Sequence, residues 1–502
     1  MKKPNILLIT SDQQHWSTLG FLNPKIKTPN LDRLFREGTN FSHAYCPNPT
    51  CTPTRASIIT GQYPSLHGAW TLGTHLREDA PTVGHELGRA GYYTALVGKA
   101  HFQALGNTLE YPSIESQPTL RNLDFWREFH GPWYGFQNVE TARMHADEYH
   151  AGGHYGVWME DNGLANWRDY FQDYPPNPAK PPRYGAWDLP EEFHYNNWTS
   201  ERIIAQFDAA GDSPFFVWSS FHDPHPPYLV PEPWASMYDP ADMETGTLEA
   251  GELEKLPPHF GMTQEEKPDF SAYKESGFST HGMHSHLADE AKARRNLALY
   301  FGMISFMDAH IGRILDALDE RGLTENTLVV FSTDHGHFFG QHGLWAKGPF
   351  HFEDEIRVPF LVRWPGQVPA GHHNEALQSL VDLAPTFLAA AGLPIPGRMQ
   401  GLNQLPTWQG SEEEPGRDHA IIEFRHEPTT IHLRTFVTAR WKITVYRDRE
   451  YGELFDLQND PEERCNLWND DSYATVKANL FQQWINAELR REPMEMPRIS
   501  GA

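Results

Sequence analysis

The chain has few cysteines, few cations and no long apolar run, and each shortage excludes a class. With only Cys46, Cys51 and Cys465 in 502 residues, no disulfide framework can form, so folding rests on core packing. At this length a sizeable core is no obstacle. No segment approaches the roughly 20 apolar residues of a membrane helix. The N-terminus, MKKPNILLIT, has two lysines and a short apolar run but no signal-peptide core or cleavage site. These features predict a cytoplasmic protein without a membrane partner. Lysine and arginine number 41 against 66 acidic residues, a formal charge of −25. That acid excess argues against a nucleic-acid partner or an anionic membrane surface. A small anionic substrate stays open, because a pocket can be locally positive on a negative protein.

What the chain does have is a rhythm of strands and helices. Residues 4–11, PNILLITS, read as a strand buried on both faces that ends at Asp12. A short amphipathic helix follows Pro29 and closes at Gly38, and another spans Thr82 to Ala90. Further strands are expected at Tyr92–Val97, 214–221 and 327–334, with a long helix between Asp289 and Arg321. The alternation predicts an α/β sheet covered on both faces. Residues 103–200, rich in Trp, Tyr and Phe, and the polar residues 239–288 read as insertions over the sheet. After about residue 400 come four short strands and a final helix, from about Tyr473 to Arg491. The division expected is a catalytic α/β domain over 1–400 and a C-terminal α+β subdomain over 401–502.

The segment CTPTRASIITGQYPSLHG carries the chemistry. Pro53 suits the first turn of a helix, so Cys51 would stand at a helix N-terminus, where the dipole favours anions. Arg55 offers a planar fork of donors suited to a tetraoxo anion. The residues alone leave two readings. One is an anion-binding helix end with a nucleophilic sulfur, the other a packed cysteine beside a structural arginine.

Cys51-Thr52-Pro53-Thr54-Arg55 with its continuation TGQYPSLHG resembles the signature of the type I sulfatases, in the alkaline-phosphatase-like superfamily. The resemblance covers most of the chain apart from the two insertions. It implies a large mixed central sheet sandwiched by helices, with a small C-terminal antiparallel sheet and helix. It also implies that a formylglycine-generating enzyme oxidises Cys51 to formylglycine. One hydroxyl of the aldehyde hydrate then attacks sulfur, and the other expels sulfate by collapse to the aldehyde. Asp12, Gln13, Asp334 and His335, with residue 51, resemble the family's divalent-metal site. Many sulfatases have aspartate at the position of Gln13 and asparagine at that of His335. Calcium is the first expectation, although the imidazole tilts the set towards manganese, and magnesium is a further candidate.

By the same resemblance, Lys99 in LVGKAHF binds sulfate oxygens and His101 holds or deprotonates the hydrate. His225, in the Pro-His-Pro-Pro element, contacts the sulfate and protonates the leaving oxygen, with His222 as the alternative. Lys347 binds the sulfate or the leaving oxygen. His281, His284 and His286 read as a solvated loop without a ligand set. The activity implied is hydrolysis of a small-molecule or carbohydrate sulfate ester. A phosphonate monoester or phosphodiester hydrolase of the same superfamily is the rival, favoured by Gln13 and His335 and disfavoured by Lys99 and His101. A non-catalytic sulfoglycan-binding protein is the alternative outside enzymes.

Overall fold

All seven side chains of strand β1, Asn5–Ser11, are buried, so the strand must be covered on both faces. Its side chains alternate between two cores. Ile6 and Leu8 join one apolar cluster and Leu7 and Ile9 the other. The computed structural model describes residues 3–143, 150–171, 173, 183–411, 416–494, 496 and 498–501. Beside β1 lie β2 (Thr39–Phe41), β3 (Tyr93–Gly98), β4 (Asn138–Thr141), β5 (Phe215–Ser220), β6 (Thr327–Thr333), β7 (Leu361–Arg363) and β8 (His372–Asn374). They form one mixed sheet in the order β8-β2-β7-β6-β1-β5-β3-β4, in which only β7 runs antiparallel to its neighbours.

The helices divide between the faces. α1 (Pro29–Arg36), α4 (Tyr195–Ala210) and α5 (Glu290–Glu320) cover one, while α2 (Cys51–Thr60), α3 (Val83–Arg89) and α6 (Leu383–Ala390) cover the other. Local caps set their ends. Thr82 accepts the His85 amide at the start of α3, and Asp289 accepts that of Lys292 at the start of α5. The first amides of α1 are met from outside, by Asp308 on α5, at 3.1 Å from Asn30 N and 2.7 Å from Leu31 N.

The stretch 103–200 is not wholly an insertion. Asn138–Thr141 enters the central sheet as its edge strand, in parallel register with β3 (Leu96 opposite Val139). Four residues of mixed polarity are too short a period to distinguish from a loop. Residues 239–288 add only short helical turns, which lie over the loop that carries Lys347.

The C-terminal strands β9 (Ala420–Glu427), β10 (Ile431–Val437), β11 (Trp441–Tyr446) and β12 (Gly452–Asp456) form an antiparallel meander backed by α7 (Ala474–Arg490). Phe436 stacks on Trp484 at 5.8 Å. This sheet braces the entry to α2. Glu423 N donates to Pro47 O, Asn48 Nδ2 donates to Glu423 O at 2.6 Å, and the Glu423 carboxylate accepts from Ser65 N and Oγ. A second tie is the buried pair Arg417–Asp382, with Nε to Oδ2 at 2.8 Å and Nη2 to Oδ1 at 2.5 Å. Arg417→Met leaves Asp382 charged and buried. It is expected to cost about 3–5 kcal/mol, read as a lowered midpoint of chemical unfolding. An unchanged midpoint would show that the pair does not hold the two parts together.

Candidate active site

Because β6, β1, β5, β3 and β4 are adjacent and parallel, their carboxyl ends open on one edge of the sheet. Each delivers polar residues there: Asp334 and His335 after β6, Asp12 and Gln13 after β1, His222 and His225 beyond β5, Lys99 and His101 after β3, Arg143 after β4. This is the crevice in which open α/β sheets bind ligands. Gly98 makes the β3 exit, at φ 105°, where an added Cβ would lie 1.8 Å from Ser220 O. Only glycine allows that approach, which turns Lys99 into the crevice.

Cys51 is the first residue of α2, whose ten residues are all buried. Around its sulfur lie Lys347 Nζ at 3.3 Å, His335 Nε2 at 3.3 Å and Asp12 Oδ1 at 3.7 Å. Burial raises the pKa of the Cys51 thiol, and Lys347 and Lys99 offset that only in part. The unmodified side chain is therefore a protonated thiol and not an activated thiolate.

Ligand atoms of Asp12, Cys51, Asp334 and His335 all lie within 4.8 Å of one another, and all four residues are buried. His335 Nδ1 faces Gly336 O at 3.0 Å. A carbonyl only accepts, so Nδ1 carries the proton and Nε2 turns its lone pair towards Cys51. Burial, then Lys347, lowers the His335 pKa to about 4, which keeps the ring neutral. Burial pushes the Asp12 pKa up, but Lys99, Arg55 and Lys347 outweigh it and hold the carboxylate well below its usual range. Gln13 has φ 63°, with its amide nitrogen 2.6 Å from His337 Nδ1. Its buried amide oxygen meets no hydrogen-bond partner among the described residues. Two carboxylates, a neutral imidazole lone pair and an unengaged amide oxygen make a donor set that fits a divalent cation.

Arg55 differs from the expectation of a fork held open for an anion. Its Nε donates to Asp334 Oδ2 at 2.9 Å, and its Nη1 to Lys99 O at 2.8 Å and Ser220 Oγ at 2.7 Å. Only Nη2 is left, buried and unengaged. A guanidinium at a crowded strand edge is drawn to the nearest carboxylate, a partner across 279 residues that local sequence does not reveal. Lys99 likewise pairs with Asp12.

His101 follows Lys99 at φ 56°. Glu115 holds this turn by accepting the amides of His101, Phe102 and Gln103 at 2.7, 2.8 and 2.7 Å. Arg143 Nη2 donates to His101 Nε2 at 2.7 Å. Arginine has no acceptor, so His101 Nε2 is unprotonated and engaged. Neither Glu115 nor Arg143 stands in a motif, and nothing local in the sequence marks them.

Lys347 Nζ also reaches His225 Nε2 at 3.4 Å and His335 Nε2 at 3.3 Å. His225 Nδ1 faces Pro226 O at 2.5 Å, so its Nε2 is the nitrogen turned to the centre. His222 instead spends its Nε2 proton on Ala142 O at 3.0 Å and packs on Tyr195. The structure brings His225, and not His222, to Lys347. The THGMHSH segment is not simply a solvated loop. His286 is buried, facing Gly282 O at 2.8 Å and accepting Trp345 N at 3.0 Å, and a Cβ on Gly282 would lie 2.4 Å from Lys347 O. The segment packs on the backbone that carries Lys347, a contact that polar composition conceals.

The chain matches the family model described as Sulfatase over residues 4–393, and that described as N-sulphoglucosamine sulphohydrolase, C-terminal, over residues 340–490. An arylsulfatase of Clostridium perfringens is 30% identical over 486 residues, covering 94% of this chain and 91% of its own length. A choline-sulfatase of Rhizobium meliloti is 28% identical, over 93% of this chain and 82% of its own. Among solved structures, a phosphonate monoester hydrolase from Silicibacter pomeroyi superposes with a TM-score of 0.80 at 25% identity, covering 98% of this chain and 96% of that one.

Proposed function

The chain belongs to the sulfatase family and hydrolyses sulfate esters, and we propose that it does so through residue 51 in its formylglycine form, beside one divalent metal ion. The observation that supports this most is the meeting of Cys51 with Lys347, His335 and Asp12 at the head of α2. A raised thiol pKa suits the reading, since the side chain needs chemical conversion before it can serve as a nucleophile at neutral pH. As formylglycine hydrate, residue 51 supplies one hydroxyl to take the sulfuryl group and a second to release it. Asp12, Gln13, Asp334 and His335 would hold the metal, which supplies charge stabilisation for the sulfate oxygens. We propose calcium, with manganese as the ion that His335 would admit.

The chain's own residues then divide the work. Lys347 and Lys99 bind sulfate oxygens and lower the energy of the charge that builds up on them. Arg55 fixes the Asp334 carboxylate and the Lys99 backbone. His225 Nδ1 holds its proton on Pro226 O, so its Nε2 would take a proton from Lys347 Nζ, 3.4 Å away, and pass it to the leaving alcohol oxygen. His101 keeps the role the resemblance implies, at the residue-51 hydrate, but its Nε2 accepts from Arg143 and so is not the nitrogen that would take the hydrate's proton. The substrate is a small-molecule or carbohydrate sulfate ester, as the names of the relatives suggest.

His225→Ala is expected to lower kcat by about 10²–10⁴-fold on alkyl sulfates. The loss should be much smaller on nitrophenyl sulfate, whose alcohol leaves without a proton. Equal losses on both would remove His225 as the acid. Parallel rates on an aryl sulfate and an aryl phosphonate test the rival activity, and the sulfate ester is expected to be the better substrate.

A further inference from the structure

We propose that Arg143 is a substrate-binding residue that receives a carboxylate carried on the alcohol portion of the sulfate ester. The proposal deepens the sulfatase reading and rests on it. Arg143 follows β4, where Thr141 lies opposite Gly98, so it reaches the crevice one strand beyond Lys99. It is 1% exposed. Its Nη2 donates to His101 Nε2, while Nε and Nη1 are buried with no hydrogen-bond partner among the described residues.

Other arginines buried to a similar degree have a carboxylate. Arg55 has Asp334, Arg363 has Glu37 and Arg417 has Asp382. Arg143 makes no such ion pair among the described residues. The acidic group that acts on it most strongly is Glu115, whose oxygens are already taken by three backbone amides. A guanidinium kept out of water with two nitrogens unengaged is costly, and folds retain such groups where a ligand completes them. The position suits a ligand, because Arg143 leaves its strand at the same edge of the parallel sheet as Lys99 and Asp12.

The other cations near Cys51 are committed. Arg55 and Lys99 each pair with a carboxylate, and Lys347 lies against the sulfur. A sulfate group placed at residue 51 meets Lys347 and Lys99. Arg143, hydrogen-bonded to His101 and paired with no carboxylate among the described residues, is left for a second anion, and guanidinium edges pair well with planar carboxylates.

The test compares Arg143→Gln with wild type, both carrying converted residue 51. The substrates are phenyl sulfate and its ortho-, meta- and para-carboxyphenyl analogues. The ratio of variant to wild-type kcat/KM cancels the electronic effect of the carboxylate on the leaving group. For at least one carboxylated ester this ratio is expected to fall on the order of tenfold to a hundredfold below that for phenyl sulfate. Loss through a displaced His101 would lower all four ratios alike, and such equal losses, or no loss, overturn the proposal. Turnover of phenyl sulfate by the variant reports that it is folded. Arg143→Lys, which keeps the charge without the fork, is read the same way and should give an intermediate ratio. If wild type fails to turn over phenyl sulfate, the sulfatase reading fails and this one with it. Equal losses sink this one alone.

Discussion

Replacing Cys51 with alanine is expected to lower turnover of sulfate esters by at least about 10⁴-fold, the scale on which loss of a covalent nucleophile acts. The fold should survive, since one sulfur is removed from a helix whose other nine residues stay buried in place. Cys51→Ser is the sharper variant. Its single hydroxyl can accept the sulfuryl group but has no second hydroxyl to expel it, so the enzyme should release one equivalent of alcohol and stall. Protein made without a formylglycine-generating enzyme should be as inactive as Cys51→Ala. Mass measurement of the peptide spanning residue 51 reports conversion directly, as sulfur and two hydrogens exchanged for one oxygen. Undiminished turnover by Cys51→Ala would falsify the whole mechanism, because no other described nucleophile stands among Lys347, His335 and Asp12.

Removing divalent metal with a chelator should lower turnover by about 10²–10⁴-fold, matching several kcal/mol of charge stabilisation. The same treatment should lower the thermal midpoint, because an ion bound only by the folded state stabilises it by mass action, about 2.7 kcal/mol at a hundredfold excess over Kd. The reason lies in the cluster. Two carboxylates stand within 4.8 Å of one another, buried, and Lys99 and Arg55 offset each of them from one side. A cation on the other side would offset their desolvation. Calcium and manganese added back separately should both raise the midpoint, with calcium restoring more turnover. Full activity in the chelated, metal-free protein would remove the ion from the mechanism.

The CTPTR segment was legible because its message is local. Proline two residues after a cysteine implies a helix start there, and α2 begins at Cys51. The strand run PNILLITS was legible for the same reason, since burial on both faces leaves an unbroken apolar run. Asn138–Thr141 was not, because four residues carry too little pattern and its pairing with β3 is set by the sheet. Glu115 was hidden too. A glutamate in a polar stretch looks solvated until three amides of a distant turn converge on it.

By itself the sequence determined the chemical vocabulary: a cysteine at a helix head, acids at strand ends, and lysines and histidines in recognisable company. It also set the broad α/β plan, since apolar periodicity is a property of neighbours along the chain. Only the tertiary structure decided how those groups are committed. Arg55 is spent on Asp334, Lys99 on Asp12 and His222 on a backbone carbonyl, while His225 is turned to Lys347. Arg143 keeps two buried nitrogens unengaged. The physical reason is that hydrogen bonds and ion pairs are settled by distance in space. Five parallel strands bring to one edge residues that stand up to 323 positions apart in the chain, from Asp12 to His335.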